Sequence, residues 1–188
     1  GAVSVPLQTS AAVSTLTPIV AETEPRVIAA SVDSLADAVA LVQAGPAPTR
    51  LVVFDYHEQV DDHREALADA RAQLARLEVA VEPLGDMLTR GRALSPADPA
   101  NLPAPGAGED TDPLALLVYT SGSTGAPKGA MYPQSNVERM WVRSARNWFV
   151  ATAASITLNF MPMSHIMGRG ILYGTLGNGG TAYFSARS

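Results

Sequence analysis

Residues 119–129 read YTSGSTGAPKG, a run of small hydroxyl side chains and glycines that ends in a lysine and a glycine. The residues before it, PLALLV at 113–118, are apolar enough to predict a buried strand. Gly122 and Gly125 allow backbone N–H groups to converge on an oxygen-rich ligand, and Lys128 adds a mobile positive charge. A strand that leads into such a loop is a common arrangement for holding phosphate. The stretch therefore predicts a buried strand followed by a phosphate-binding loop.

The spacing within this loop separates it from other known motifs. A P-loop needs a second glycine five residues after the first, but Pro127 occupies that position relative to Gly122, and Gly129 stands where Ser or Thr should follow the lysine. No serine has the flanking glycines of a nucleophile elbow, and the dinucleotide-binding fingerprint is absent from the sequence. Clusters of Ser, Gly, Thr and Pro are more often exposed turns, so composition alone leaves that alternative open.

The composition limits the class of protein. The chain has 188 residues, of which 47% are hydrophobic, and a formal net charge of −5. This acidic balance argues against nucleic-acid binding, and no apolar run approaches the roughly 20 residues that a membrane span needs. The lack of cysteine excludes a disulfide framework, a thiolate nucleophile and cysteine-ligated zinc, and it fits a reducing compartment. We therefore expect a cytoplasmic protein that neither binds nucleic acid nor spans a membrane.

Strand-like and helix-like runs alternate along the chain. Short apolar runs predict strands at 2–7, 26–31, 50–55, 78–84, 114–120, 155–162 and 180–185. The clearest helical pattern covers 61–77, where one apolar stripe consists of Leu67, Ala70, Leu74 and Leu77. The alternation predicts an α/β fold, with a mostly parallel sheet, right-handed crossovers and flanking helices.

Residues 91–113 interrupt this alternation. They include five prolines and several glycines, a composition that predicts no regular helix or strand. The segment could join two domains, but a single strand follows it before the loop and completes nothing independent. We expect an extended connection within one domain that covers 1–188. Strand-like runs are cut at both ends of the chain, so we also expect a fragment.

The loop resembles, residue for residue, the phosphate-binding signature of the adenylate-forming superfamily of acyl-CoA synthetases, peptide-synthetase adenylation domains and luciferases. That signature is (S/T)-(S/G)-G-(S/T)-(S/T)-G-x-P-K-G, and it matches residues 120–129, which we expect to lie at a strand-to-helix corner. The later stretch NFMPMSHIMGRG, at 159–170, is similar to the family's P-x-x-H-x-x-G segment, with Pro162, His165 and Gly168 in register. Two ordered motifs on an α/β background identify the chain as a member of this superfamily.

One branch of the superfamily matches further. Most members follow the loop with a Ser/Thr-His pair, whereas this chain has Tyr132 and Pro133. That departure, the MPMSHIMGRG stretch and residues 1–31 look like the adenylation domain of carboxylic acid reductases. The resemblance implies an incomplete part of the large N-terminal subdomain of an adenylate-forming enzyme. The adenine-binding segment, the ribose-binding aspartate, the C-terminal lid, the carrier domain and the reductase domain would then lie beyond Ser188.

The resemblance also implies substrates and residue roles. ATP, with Mg²⁺, and a carboxylic acid would react to an acyl adenylate and pyrophosphate. The β- and γ-phosphates would be bound by Thr120, Ser121, Gly122, Ser123, Thr124, Gly125. Lys128 would offset charge on the leaving pyrophosphate, and His165 would lie between the acyl pocket and the α-phosphate as a gate and hydrogen-bond donor. NADPH and phosphopantetheine are implied only for the full-length protein.

Three functions stay open on this evidence: an adenylation fragment of a carboxylic acid reductase, a fatty acyl-CoA ligase, and a non-catalytic phosphate-binding module. The first two differ in whether a carrier and a reductase follow. We expect the isolated chain to catalyse nothing and to bind ATP weakly.

Two other groups of side chains have simpler interpretations. Methionines 161, 163 and 167 surround the histidine and suit either an acyl pocket or core packing. His57 and His63 lie near acidic residues that capping and solvation explain, so we expect no metal site.

Overall fold

The computed structural model describes residues 2–94, 112–121, 127–143 and 152–185. Its α-helices are α1 (Val13–Thr23), α2 (Leu35–Ala44), α3 (Asp61–Leu74), α4 (Leu84–Ala93), α5 (Gln134–Arg143) and α6 (Ile166–Gly177). Its strands are β1 (Val27–Ser31), β2 (Arg50–Phe54), β3 (Ala80–Pro83), β4 (Leu114–Ser121), β5 (Pro127–Pro133), β6 (Ile156–Asn159) and β7 (Thr181–Phe184). The chain divides into two compact units, one of residues 9–102 and one of residues 1–8 with 103–188.

Three parallel strands form the centre of the first unit, in the order β1, β2, β3. Leu51, Val52 and Val53 of the middle strand are all buried, which is the pattern of a parallel strand covered on both faces. Helices α2 and α3 connect successive strands. The predicted α/β fold is confirmed, with strands close to the predicted positions.

Helix α3 ends earlier than the apolar stripe predicts. Leu67, Ala70 and Leu74 are buried as expected, but Leu77 is 42% exposed. The α-helix stops at Leu74 and a 3₁₀ turn, Ala75–Leu77, follows it. The tighter turn has about 3.0 residues per turn, which rotates Leu77 away from the stripe.

The described part of the second unit holds two separate pairs of strands. β4 and β5 pair antiparallel, and β6 and β7 pair parallel with α6 as their connection. Helix α5 packs against β4, β5 and α6, and Trp141 of α5 meets Tyr173 of α6 with ring centroids 4.7 Å apart. Among the helices of the described residues, none has both the length and the apolar character needed to cross a membrane.

The strand predicted at 2–7 is wrong in extent. Only Ser4 bridges to β4, through its N–H to the carbonyl of Ala115 (3.0 Å) and its carbonyl to the N–H of Leu117 (2.9 Å). The next residue that would donate to this parallel ladder is Pro6, which has no N–H.

The Pro-rich segment begins later than predicted, because α4 continues to Ala93. Most of the segment lies outside the described residues, and the boundary between the two units falls inside it. Its assignment as a connection within one domain stays a prediction.

A buried carboxylate holds α4 to the sheet of the first unit. Glu82 of β3 is only 8% exposed, and it pairs with Arg50 of β2 and Arg90 of α4. The Arg90 Nη2 to Glu82 Oε1 distance is 2.7 Å. The hydrogen bonds from Arg90 and Arg50 outweigh the opposing effect of burial and lower the pKa of Glu82 from 4.5 to about 2.

The lowered pKa predicts acid-sensitive stability. Because the folded pKa of Glu82 lies below its ordinary value, its stabilisation is present above about pH 4.5 and is lost as the pH falls towards 2. Glu82→Gln should lower the free energy of unfolding by roughly 2 kcal/mol near neutral pH, because it leaves two arginines without their carboxylate. The difference from the unmodified chain should shrink at about pH 3.

Urea denaturation of the two chains measures this difference. Glu65→Gln, on the exposed face of α3, is the control and should change stability by less than about 0.5 kcal/mol. A Glu82→Gln effect that is independent of pH would contradict the ion-pair assignment.

Candidate active site

The β4–β5 hairpin fixes both ends of the phosphate-binding signature. Ser121 pairs with Pro127 and Thr120 pairs with Lys128 in the antiparallel register. The two residues that flank 122–126, Ser121 and Pro127, therefore lie directly opposite each other in the ladder. Thr120 and Lys128 are both exposed, and as a cross-strand pair they point to the same face of the hairpin.

This hairpin corrects one expectation from the sequence. The motif does not lie at a strand-to-helix corner, because a second strand follows the loop and α5 begins only at Gln134. Residues 127–133 are drawn into an extended conformation by pairing with β4. Of the predicted phosphate-binding residues, Gly122, Ser123, Thr124 and Gly125 lie outside the described residues, as does the side chain of Ser121. Their roles stay predictions.

Gly129 of the signature has a packing role next to Lys128. It lies opposite Tyr119, and a Cβ added at Gly129 would meet the tyrosine ring at 3.1 Å from its Cζ. The aromatic ring thus lies close over Gly129, and any side chain at this position would have to push the ring aside by a few tenths of an ångström. The contact lies on the face of the hairpin opposite to Thr120 and Lys128.

Asp112 connects the start of β4 to the start of α5. Its carboxylate accepts hydrogen bonds from the N–H of Ser135 (2.9 Å) and from the Ser135 hydroxyl (2.6 Å). These two bonds lower the pKa of Asp112 below its ordinary value. A carboxylate at a helix N-terminus accepts hydrogen bonds from the free amides there and interacts favourably with the helix dipole. The base of the hairpin is thereby held against α5.

His165 lies at the N-terminus of α6, in the connection that follows β6. Its backbone N–H donates to the carbonyl of Pro162 (2.9 Å), and its Nδ1 accepts from the N–H of Met167 (3.1 Å). In the neutral ring the proton must then be on Nε2. The side chain is exposed, and among the described residues Nε2 makes no hydrogen bond. The ring therefore presents a hydrogen-bond donor outward.

Gly168 allows the first turn of α6 to lie directly on this connection. A Cβ at residue 168 would be 2.5 Å from the carbonyl oxygen of Pro162 and 2.9 Å from that of Met161. Such distances exclude any side chain without movement of the backbone. The P-x-x-H-x-x-G motif therefore has a steric basis: its glycine is the point of closest approach between the helix and the connection.

The structure adds two residues that the sequence analysis missed. Asn159, the last residue of β6, is 2% exposed and hydrogen bonds to Met161 and Gly168. Arg169 donates from Nε to the carbonyl of Met163 at 2.8 Å. The amide residue at the end of the strand at 156–159, directly before the histidine motif, was the available signal for Asn159.

The described contacts form two groups rather than one continuous network. Thr120 and Lys128 are paired in the hairpin, and His165 is tied to Pro162 and Met167. Within the described ranges, no hydrogen bond joins Lys128 to His165. The element that contacts both groups is α5, which packs against the strands of the hairpin and against α6. The methionines near His165 also differ in their surroundings. The sulfur of Met163 lies 3.6 Å from the Asn159 amide nitrogen, whereas Met167 is 38% exposed.

The two histidines near acidic residues interact with each other. His63 Nδ1 accepts a hydrogen bond from the backbone N–H of His57 at 3.0 Å, and their rings stack with centroids 5.9 Å apart. Across the described part of the chain, no group of three His, Cys, Asp or Glu side chains is arranged to hold a metal ion.

Comparison with known proteins places these features in a family. The AMP-binding enzyme family matches residues 1–188. The chain belongs to this family. It is 59% identical over 189 residues to the carboxylic acid reductase of Mycobacterium marinum. The matched region covers all of this chain and 16% of that protein. The chain thus spans about one sixth of this relative's length.

Two solved structures extend the comparison. The A-PCP didomain of the carboxylic acid reductase from Segniliparus rugosus, in complex with AMP, matches with a TM-score of 0.81 at 47% identity over 98% of this chain and 26% of that chain. The A domain from the same organism, with AMP and a co-purified carboxylic acid, matches with a TM-score of 0.80 at 44% identity over 97% and 29%. The predicted family and its α/β fold are confirmed.

The close approach at Gly168 can be tested with a matched pair of glycines. Gly168→Ala should lower the free energy of unfolding by roughly 1–3 kcal/mol, because its methyl group must displace two carbonyl groups. Gly85 also lies in the first turn of a helix, α4, and a Cβ there meets nothing within 4 Å.

Gly85→Ala is therefore the control, and it should be neutral or stabilising by up to about 1 kcal/mol. Chemical denaturation of both variants measures the difference. Equal effects at the two positions would contradict the steric interpretation.

Proposed function

We propose that this chain is the part of an adenylating enzyme that binds the phosphates of ATP and admits a carboxylic acid. The reaction would be ATP plus carboxylate to acyl adenylate plus pyrophosphate. The observation that carries this proposal is the register of the hairpin, which pairs Thr120 with Lys128 and closes the signature loop at Ser121 and Pro127. The relative that holds AMP and a co-purified carboxylic acid supports the same chemistry.

In this reaction a carboxylate oxygen attacks the α-phosphorus, and the bond from that phosphorus to the oxygen that bridges to the β-phosphorus breaks. Negative charge then builds on the leaving pyrophosphate. The protein acts mainly by positioning the reactants and by offsetting that charge. Lys128, held at a fixed place in a ladder but with an exposed side chain, would contact the β- and γ-phosphates. The hydroxyls and backbone amides of 120–125 would bind the same phosphates.

His165 would act at the α-phosphate and the acid. Its Nδ1 is occupied by the Met167 N–H, so the neutral ring can donate from Nε2 to an oxygen of the carboxylate or of the α-phosphate. The ring is exposed at a helix N-terminus, where rotation of its side chain could open or close access for the acid. Donation to the developing charge is the type of contact that lowers the barrier.

Mg²⁺ would enter with ATP. The signature contributes hydroxyl, amide and ammonium groups and no carboxylate, so its hydroxyls are the side chains that could contact the metal. The ion would neutralise phosphate charge. In the complete protein, we propose that a phosphopantetheine carrier takes the acyl group and that an NADPH-dependent domain reduces it to the aldehyde. The lack of cysteine fits a cytoplasmic location.

A fatty acyl-CoA ligase is the second candidate. The hairpin, the signature and His165 would serve both enzymes equally, because both begin with an acyl adenylate. Similarity to a carboxylic acid reductase over the entire chain favours the reductase. With an acid substrate, ATP and NADPH, the complete protein should yield the aldehyde; thioester formation with free coenzyme A would support the ligase instead.

Lys128 gives the sharpest test of the adenylation step. In the complete protein, Lys128→Ala should lower acid-dependent exchange of pyrophosphate into ATP by about 100-fold or more. Lys128→Arg should retain part of the activity because it keeps the charge. Arg143→Ala removes an exposed charge at the end of α5 and should leave exchange unchanged. Full activity of Lys128→Ala would refute the assigned role.

The isolated chain should bind ATP weakly and should not catalyse exchange. Lys128 is the only lysine in the sequence, so an amine-reactive reagent can modify one side chain and the terminal amine of Gly1. Mass spectrometry should show that high concentrations of ATP slow modification of Lys128 but not of Gly1, which is the internal control. A modification rate of Lys128 that is the same with and without ATP would contradict phosphate binding at this residue.

A further inference from the structure

We propose that Asn159 is a positioning residue for acyl-adenylate formation, because its buried amide holds the connection that carries His165. This inference rests on the proposed role of His165. Asn159 does not itself need to touch either substrate. It ends β6, six residues before the histidine, and its side chain is directed into the space between the connection and α6.

The two ends of the amide contact the start of the connection and the first turn of α6. Oδ1 accepts a hydrogen bond from the N–H of Met161 at 3.2 Å, and Nδ2 donates to the carbonyl of Gly168 at 3.0 Å. His165 lies between these two contact points in the sequence. Asn159 is 2% exposed, and its bond to Gly168 is buried, so water cannot easily replace that bond; the bond to Met161 is partly buried.

Backbone pairing anchors Asn159 itself. It lies opposite Phe184 in the β6–β7 register, and its carbonyl accepts from the N–H of Ser185 at 3.3 Å. The strand pair therefore provides a fixed base, and the amide transmits that position to the connection. On the far side Arg169 donates to the carbonyl of Met163 at 2.8 Å. The histidine is thus carried by a segment that is held at both sides.

The chemistry at this position selects an amide. Only Asn supplies both a donor and an acceptor at this side-chain length. Aspartate could accept from Met161, but it would place a carboxylate oxygen against the carbonyl of Gly168, 3.0 Å from the present Nδ2. Leucine would make neither bond and would leave the N–H of Met161 without its present partner. The loss should move the connection, and His165 with it.

A double-mutant cycle in the complete protein tests this inference. Asn159→Asp should lower kcat of pyrophosphate exchange by about tenfold, with KM for ATP changed by less than about twofold because His165 is not needed for binding the β- and γ-phosphates. In a His165→Ala background the same change should lower kcat by less than about twofold. Asn159→Ser, which cannot span both contacts and introduces no buried charge, gives a second cycle if the aspartate variant does not fold.

Thr175→Val is the matched control. Thr175 is 1% exposed, and its hydroxyl bonds to Thr157 of β6 at 2.9 Å and to the carbonyl of Ile171. The substitution therefore removes a partly buried hydrogen bond between the same strand and helix, and it leaves the connection at 160–165 unchanged. It should lower thermal stability but leave kcat unchanged. An equal loss of kcat in both His165 backgrounds, or in Thr175→Val, would overturn the inference.

Hydrogen exchange separates this inference from the proposed function. In the complete protein, the amide of Met167, which donates to His165, should exchange about tenfold faster in the Asn159 variants and unchanged in Thr175→Val. This readout needs no activity. If the unmodified protein makes no acyl adenylate but Met167 responds as expected, the proposed function fails while the structural role of Asn159 is retained. An unchanged Met167 amide would refute the positioning role.

Discussion

The antiparallel pairing of β4 with β5 is the constraint on which the candidate site depends. A loop of glycines and small hydroxyl residues has many conformations, and restricting them costs entropy. The ladder reduces that freedom by holding Ser121 opposite Pro127 and Thr120 opposite Lys128. Leu116 and Val118 are each only 3% exposed, and they anchor β4 in the core of its unit. The chemistry of the loop is therefore carried by a rigid base, as is usual for binding loops.

The histidine motif at 159–170 is held in place by side-chain hydrogen bonds rather than by a strand ladder. His165 lies between a strand and a helix, where irregular backbone must still satisfy its hydrogen bonds. The buried amide of Asn159 supplies partners on one side and Arg169 supplies one on the other. Gly168 permits the helix to approach within a distance that no Cβ allows. Together these contacts explain why a histidine, a glycine and a distant asparagine belong to one structural unit.

The two motifs meet a common element, helix α5. It packs against both strands of the hairpin and against α6, where Trp141 contacts Tyr173, and Asp112 fixes its N-terminal end. The sequence alone indicated neither the capping role of Asp112 nor the Trp141–Tyr173 contact. By contrast, the ion pairs of Glu82 in the first unit stabilise the α4–sheet contact and have no part in the proposed chemistry.

The family, the α/β class, most strand positions and the residues of both motifs could be predicted from the amino-acid sequence, because these depend on composition and spacing over a few neighbouring positions. The folded chain was needed to show that the signature lies in a hairpin, that pairing stops after Ser4, and that Leu77 leaves the apolar stripe. It was also needed to show the contacts of Asn159. Each of these outcomes depends on which backbone groups face one another across the fold or on local helix geometry, and residue identity along the chain does not specify that.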